Sequence, residues 1–272
     1  MTGAGNDFVV IDNRSRRIRD GSAAAKALCD RRWGVGADGL ILLEKSRRAD
    51  YRMMYYNADG SYGGMCGNGA RCIALYAVKH GIAPRKHMIE ALKYLHAVNV
   101  TPPDVTLWMK DPHDLRLGKT IKLDSTSQLL HFVDTGSPHA VICIEELPGQ
   151  PRKLNAIDMC SLGRRIRYHP YFGPTGTNVN VVQRTGDNLL HIRTYERGVE
   201  DETLACGTGS VAAAIVGCHI WKLRRPVRVL PRSKVPLLVD FDEDTHKITN
   251  VTLTGPAKIL FTGETKIPLS RS

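Results

Sequence analysis

The feature that most constrains this chain is a repeat. Cys66-Gly67-Asn68-Gly69 recurs 140 positions later as Cys206-Gly207-Thr208-Gly209, an offset of about half the 272 residues. Self-similarity at a fixed offset marks a duplicated architecture. Each copy follows strand-like sequence and a polar turn, and each precedes a run of small residues, 70–78 and 211–218. Length alone allows one large domain or two ordinary ones, and the repeat selects two similar halves. They are expected to join in the polar, proline-containing stretch 111–118. Residues 1–115 then carry Cys66 and residues 116–255 carry Cys206.

Around the repeat, strands and helices alternate without forming a clean βαβ series. Strands are expected over 8–12, 39–44, 51–56, 105–109, 129–133, 140–144, 178–183 and 189–195, with four more near Val227, Leu237, Ile248 and Leu260. Helices are expected over 22–33 with Ser22 as N-cap, over 67–80 with Gly81 as stop, over 156–168 and over 207–223. Blocks of strand around few helices indicate an α+β fold. Residues 91–103 lack the glycine turn that a hairpin there would use, so no element is assigned to them. Residues 203–221 carry no Lys, Arg, Asp or Glu, but Gly207–Ser210 read as a turn, which makes the stretch a buried core helix rather than a membrane span.

Composition removes several classes. With 42% hydrophobic and 24% charged residues the chain is globular rather than disordered. Lys and Arg outnumber Asp and Glu by 38 to 27, a net charge of +11 that could serve a nucleic acid. Only 6% of residues are aromatic and no recognition module is visible, so the charge reads as solvated surface. Seven cysteines with no Cys-x-x-Cys pair argue against a disulfide framework or zinc ribbon and suit a reducing cytoplasm.

Three short motifs fail on context. Gly34-Val35-Gly36-Ala37-Asp38-Gly39 spells the dinucleotide fingerprint but follows a helix and leads into a strand, the reverse of what that motif needs. Gly118-Lys119-Thr120 has His113 where a P-loop needs its first glycine. Asn57-Ala58-Asp59-Gly60 has no closing glutamate for calcium. With no histidine pair at ligand spacing on a helix, no metal is expected.

The repeat itself survives. A cysteine at a helix N-terminus meets unsatisfied N–H groups and the positive end of the macrodipole, which favour its thiolate. Flanking glycines let a ligand approach the backbone, and the free N–H groups suit a carboxylate. Two such thiols, one from each half, match the inversion of a carbon acid. One sulfur removes a proton from one face and the other delivers a proton to the opposite face. The amides would hold the carboxylate as charge develops beside it. Packing cysteines in glycine turns are the plainer alternative, and the duplication argues against it.

At these residues the chain closely resembles the diaminopimelate epimerase family. The match is carried by Gly3-Ala4-Gly5-Asn6-Asp7-Phe8, by Asn57-Ala58-Asp59-Gly60, by Cys66-Gly67-Asn68-Gly69-Ala70-Arg71-Cys72 and by Glu196-Arg197-Gly198 leading to Ala205-Cys206-Gly207-Thr208-Gly209. Pro138-His139, Thr177-Asn178 and Thr254-Gly255-Pro256-Ala257 fall in the expected places. The resemblance implies two pseudo-symmetric halves, each a central helix wrapped by a curved, mostly antiparallel sheet, with the active site between them and a last strand in 256–272 returning to the first half. It implies cofactor-independent interconversion of LL- and meso-diaminopimelate, serving lysine and peptidoglycan-precursor biosynthesis, by a cytoplasmic homodimer without pyridoxal phosphate, nucleic-acid or membrane partners.

Carried over residue by residue, Cys66 and Cys206 are the acid/base thiols. His139 and Glu196 tune them. Asn6, Asn57, Gly67, Asn68, Asn178, Glu196, Arg197, Gly207 and Thr208 bind substrate, and carboxamides with one fixed cation suit an ammonium and a carboxylate at each end. Read without the family, Asn57 is a turn former, His139 a core histidine, and Glu196 with Arg197 a surface pair. Two positions depart from the family pattern. Thr2 follows Met1 at once, where relatives carry a further strand and a histidine, which implies an internal start. Ser137 replaces an asparagine that touches substrate in many members. The rival readings are a proline racemase-like or hydroxyproline epimerase-like enzyme, whose first motif resembles Cys-Gly-His-Gly, a cysteine hydrolase using His139 as base, and an anion-binding module.

Overall fold

A computed structural model describes residues 1–147, 149, 153–245 and 247–266. The chain divides into two compact units, one comprising Met1–Trp108 with the segment from Thr254 onward, the other Met109–Leu253.

In the first unit, β1 (Thr2–Gly3) and β2 (Asn6–Asp12) form a tight antiparallel pair. Then follow α1 (Gly21–Cys29), β3 (Gly39–Glu44), β4 (Tyr51–Asn57), α2 (Gly67–Lys79), β5 (Lys86–Ala91), β6 (Tyr94–Thr101) and β7 (Asp104–Trp108). The two pairs separated by a helix, β2 with β3 and β4 with β5, run parallel. Those joined by short turns, β3 with β4, β5 with β6 and β6 with β7, run antiparallel. This follows from connection length, since a tight turn can only reverse the chain whereas a helix can carry it back to the same end. Helix α2 packs against β1, β2, β3, β4, β6 and β7, so the sheet wraps it. Nine of its residues are buried, and Ala70, Ile73, Ala74 and Ala77 are fully so.

The second unit runs β8 (His113–Leu123), β9 (Thr126–Asp134), β10 (Pro138–Cys143), α3 (Met159–Arg167), β11 (Asn178–Gly186), β12 (Leu189–Glu196), β13 (Asp201–Thr203), α4 (Gly207–Trp221), β14 (Val227–Leu230), β15 (Leu237–Asp244) and β16 (Lys247–Pro256). Its parallel pairs are again those bridged by a helix, β10 with β11 across α3 and β12 with β14 across α4. Helix α4 packs against β9, β10, β11, β12, β14 and β15. Residues 209–217 of it are all buried, which is why it carries no amphipathic stripe. The same strand–helix order therefore occurs in both units, with α1 and α3 on one side of the scheme and α2 and α4 at its centre.

Several local expectations need correction. The N-cap of α1 is Asp20, not Ser22, because Asp20 is extended and its carboxylate accepts from Ala23 N at 3.0 Å. The helix expected over 156–168 starts later, at Met159, capped by Asp158. The stretch 111–118 is mostly strand, with β8 absorbing its irregularity in register shifts and Gly118 at φ +62°. Residues 91–103 form a hairpin whose turn uses Leu92 at φ +55°, a left-handed conformation that needs no glycine when the cross-strand pairing fixes it. No strand forms near Leu260. Among the described residues beyond Pro256, Lys258 makes an isolated bridge to Thr2, and the rest of the strand expected in 256–272 lies partly outside the described residues. No helix among the described residues is long and apolar enough to cross a membrane.

Candidate active site

Both repeat motifs become helix N-caps. Cys66 caps α2 with φ −123° and ψ 118°, and Cys206 caps α4 with φ −114° and ψ 116°. In each, sulfur accepts from the amide three residues on, Gly69 N at 3.5 Å and Gly209 N at 3.4 Å. This is the position in which a serine or aspartate side chain normally satisfies an orphan N–H. The extended cap turns each sulfur onto the end of its helix. The glycine three residues on allows close packing there. A Cβ on Gly69 would approach Ile41 Cδ1 to 2.9 Å, and one on Gly209 would approach Asn180 Oδ1 to 2.5 Å.

In the first unit, Asn68 and Asn6 join beside Cys66, with Asn68 Nδ2 donating to Asn6 Oδ1 at 2.7 Å. Asn6 Nδ2 donates in turn to Asp38 at 2.9 Å, and Arg31 binds both Asp38 and Asp7. These contacts hold Asp7 below the usual carboxylate range despite the opposing cost of its burial. Beneath the motif lies Arg71, 0% exposed, donating to Asn68 Oδ1 at 2.6 Å and to Gly67 O at 3.3 Å. Burial pulls its pKa down, against the charges of Cys72, Cys66 and Asp104. Asn57 ends β4 some way along the chain, its Oδ1 accepting from Tyr55 Oη at 2.8 Å and its Nδ2 donating to Ser61 Oγ at 2.9 Å. Both bonds go to side chains, and the turn itself is held by Asp59, whose Oδ1 accepts from Ser61 N at 2.8 Å. Cys72, one and a half turns along α2 from Cys66, is fully buried, and desolvation pushes its thiol up to about 12. That suits packing and not proton transfer.

In the second unit, Cys206 is 7% exposed and lies 3.4 Å from Thr208 Oγ1. Thr208 Oγ1 is 2.9 Å from His139 Nε2. His139 is completely buried on β10, and desolvation together with the charge of Arg197 pulls its pKa to about 3, so the ring is neutral at any working pH. Ser137 Oγ lies 3.0 Å from the same Nε2 and 3.3 Å from Thr208 Oγ1. Asn178 clamps the end of β10 to the residue after β12, donating to Pro138 O at 2.8 Å and accepting from Arg197 N at 2.8 Å. Burial pushes the carboxyl of Glu196, the last residue of β12, above its ordinary range.

The sequence-predicted residues thus fall into two groups. Asn6, Gly67 and Asn68 gather around Cys66, with Asn57 at a turn of its own. His139, Asn178, Arg197, Gly207 and Thr208 belong to the unit of Cys206, as does Glu196. Sequence reasoning missed Arg71 and Asn180. The charge of Arg71 was counted as surface, although a lone arginine in a run of small helical residues was a visible sign of burial. Asn180 sits two residues after Asn178, on the same face of β11, and alternation was the available signal.

One further group of ionisable side chains lies together, His131, Cys143 and Glu146. Its polar atoms are already committed. Gly118 N donates to His131 Nδ1 at 3.1 Å, His131 Nε2 lies 3.1 Å from Glu146 Oε1, and Cys143 N donates to Glu146 Oε2 at 3.1 Å. A metal on Nε2 would need a proton on Nδ1, where the Gly118 N–H already points, so these residues fit a structural cap and not a metal centre.

The diaminopimelate epimerase family model matches residues 1–104 and 131–260. The diaminopimelate epimerase of Chlorobaculum tepidum is 44% identical over 267 residues, covering 97% of this chain and 98% of that protein. That of Aquifex aeolicus is 38% identical, covering 97% and 95%. Among solved structures, a PhzF-family phenazine biosynthesis protein of Bacillus anthracis superposes with a TM-score of 0.66 at 13% identity, covering 94% of this chain and 92% of that one. A hydroxyproline epimerase of Agrobacterium vitis superposes with a TM-score of 0.65 at 16% identity, covering 94% and 87%. The solved structures establish the α+β fold, and the sequence relatives carry the kinship further.

Proposed function

The chain belongs to the diaminopimelate epimerase family, and we propose that it is the isomerase that interconverts LL- and meso-diaminopimelate, with Cys66 and Cys206 as its two acid/base groups. One thiolate takes the proton from Cα, breaking the C–H bond and leaving the electron pair on a carbanion conjugated with the carboxylate. The other thiol gives its proton to the opposite face. The enzyme ends with the two sulfurs in exchanged protonation states, and no pyridoxal phosphate or metal takes part. The observation that carries this reading is the matched pair of N-cap sulfurs, one in each unit, with the same backbone angles and the same amide donor. Backbone amides of Gly67, Asn68, Gly207 and Thr208 hold the carboxylate, and Asn6, Asn57, Asn178, Glu196 and Arg197 bind the rest. His139 and Glu196 set the protonation of the thiols. We read the two units as the two halves of the duplicated chain.

All seven cysteines are unbridged, which supports a reducing, cytoplasmic setting. The homodimer that the family resemblance implies is checked by sedimentation. The decisive assay is solvent deuterium incorporation at Cα of LL-diaminopimelate with no pyridoxal phosphate or metal added. Exchange with epimerisation is expected. Exchange with proline or hydroxyproline and none with diaminopimelate would replace this reading with the rival that shares the fold.

A further inference from the structure

We propose that Asn180 is a positioning residue that locks His139 in its Nε2–H tautomer, so that the Thr208 hydroxyl is left as a donor aimed at the sulfur of Cys206. Asn180 is fully buried on β11. Its amide has one admissible orientation. Nδ2 lies 2.9 Å from Ala140 O, which accepts only, and Oδ1 accepts from Thr194 Oγ1 at 2.9 Å. Exchanging N and O would set two carbonyl oxygens against each other and forfeit the bond to Ala140 O, which costs about 1–3 kcal/mol. The second Nδ2 proton therefore faces His139 Nδ1 at 3.1 Å. Nδ1 must accept, and the single proton of the neutral ring resides on Nε2.

From there the polarity propagates. His139 Nε2–H faces Thr208 Oγ1 at 2.9 Å and Ser137 Oγ at 3.0 Å, and Ser137 Oγ in turn donates to Thr208 Oγ1 at 3.3 Å. A hydroxyl accepts two hydrogen bonds and donates one. With both lone pairs of Thr208 occupied, its own proton is directed to Cys206 Sγ, 3.4 Å away. The sulfur then receives two donors, Thr208 O–H and Gly209 N–H, and both favour the thiolate. Titratable or charged groups on the strands packed against α4 include His131 and Asp134 on β9, His139 on β10, and His191, Arg193 and Glu196 on β12, with Arg197 just after it. The first turn of α4 carries no acidic side chain, its last turn holds His219, and the charge of Arg197 acts on His139. Asn180 thus acts through His139 and Thr208.

The inference rests on the reading of Cys206 as an acid/base, but its tests do not use turnover. Long-range proton–nitrogen NMR on the intact protein reports the His139 tautomer directly, and Nε2–H is expected. A ring protonated on Nδ1 overturns the proposal. Iodoacetamide alkylation of Cys206 against pH, resolved by mass spectrometry of its peptide, reports the thiol. Thr208→Val should move the midpoint upward by about one pH unit, the size of one hydrogen bond to a charged acceptor. Thr208→Ser should restore it, and Cys66 should not move in either. An unmoved midpoint in Thr208→Val, or a Thr208→Ser midpoint that stays with the valine variant, overturns the proposal. Asn180→Ala should give a mixture of His139 tautomers. If that variant does not fold, the wild-type tautomer and the Thr208 pair decide alone. An enzyme with the stated tautomer and shift that lacked epimerase activity would sink the functional reading and leave the relay standing.

Discussion

The first turn of α2 and the first turn of α4 present a sulfur in the same way and support it differently. Under Cys66 lies a fully buried guanidinium, Arg71, tied to Asn68 Oδ1 and Gly67 O. Behind Cys206 runs a chain of neutral groups, a hydroxyl and a buried imidazole oriented by an amide. A buried charge acts on a thiolate at a distance and without regard to direction, at the cost of its own desolvation. A chain of neutral donors costs less to bury but works only while every proton points the right way. The two turns share the backbone device and differ in the side chains behind it.

The largest expected effect tests what the two turns share. Cys66→Ala and Cys206→Ala should each lower epimerisation by about a thousandfold or more, within the range that positioned acid/base groups supply, with circular dichroism unchanged. Normal turnover in Cys206→Ala would end the two-thiol mechanism.

A pH titration of stability probes the neutral side. His139 has a folded pKa of about 3 against an ordinary 6.5. The unfolded chain therefore binds this proton more readily between those values, and stability falls as pH drops from 6.5 toward 3. The contribution approaches about 1.4 kcal/mol per pH unit. Urea unfolding of His139→Gln should show a shallower acid slope than the wild type, and equal slopes would contradict the neutral, buried ring.

Two glycines separate the turns by their packing. Gly209→Ala should cost about 1–3 kcal/mol, the range for overpacking, because the new Cβ meets an Asn180 oxygen pinned by Thr194. Gly69→Ala should cost less, since Ile41 Cδ1 and Met53 Cε are side-chain ends that can yield. Denaturation midpoints that rank the other way would reverse this assignment.

The smallest effect is the most selective. Arg71→Met should raise the alkylation midpoint of Cys66 by about one pH unit, the lower end of the effect of a neighbouring charge, while leaving Cys206 in place. A shift of both thiols, or of neither, would remove the electrostatic distinction between the two turns.

Both sulfurs were legible in the sequence because a cysteine followed by glycines at the next and third positions, repeated at half-length, has a local physical meaning. Most helices and many strands were legible for the same reason, but β1, β5, β6, β8 and β13 were not assigned and the strand expected near Leu260 does not form, since pairing with neighbouring strands overrules local preference. Asn57 illustrates the limit from the other side, since sequence alone assigns it to a turn while its amide bonds the side chains of Tyr55 and Ser61. Arg71 and Asn180 were not legible as site residues, because their importance lies in what surrounds them. A guanidinium on a small-residue helix becomes a buried charge only when a sheet wraps that helix, and an asparagine on a strand fixes a tautomer only when β10 lies beside it.

The sequence by itself determined the duplication, the α+β class and the two N-cap thiols, since these depend on contacts within a few residues of one another and on periodicity. Tertiary structure alone decided that His139 is neutral and that the amide of Asn180 points one way. It alone buried the guanidinium of Arg71 beneath the first turn of α2. Desolvation and hydrogen-bond polarity are properties of an environment assembled from distant segments, and no local run of residues specifies them.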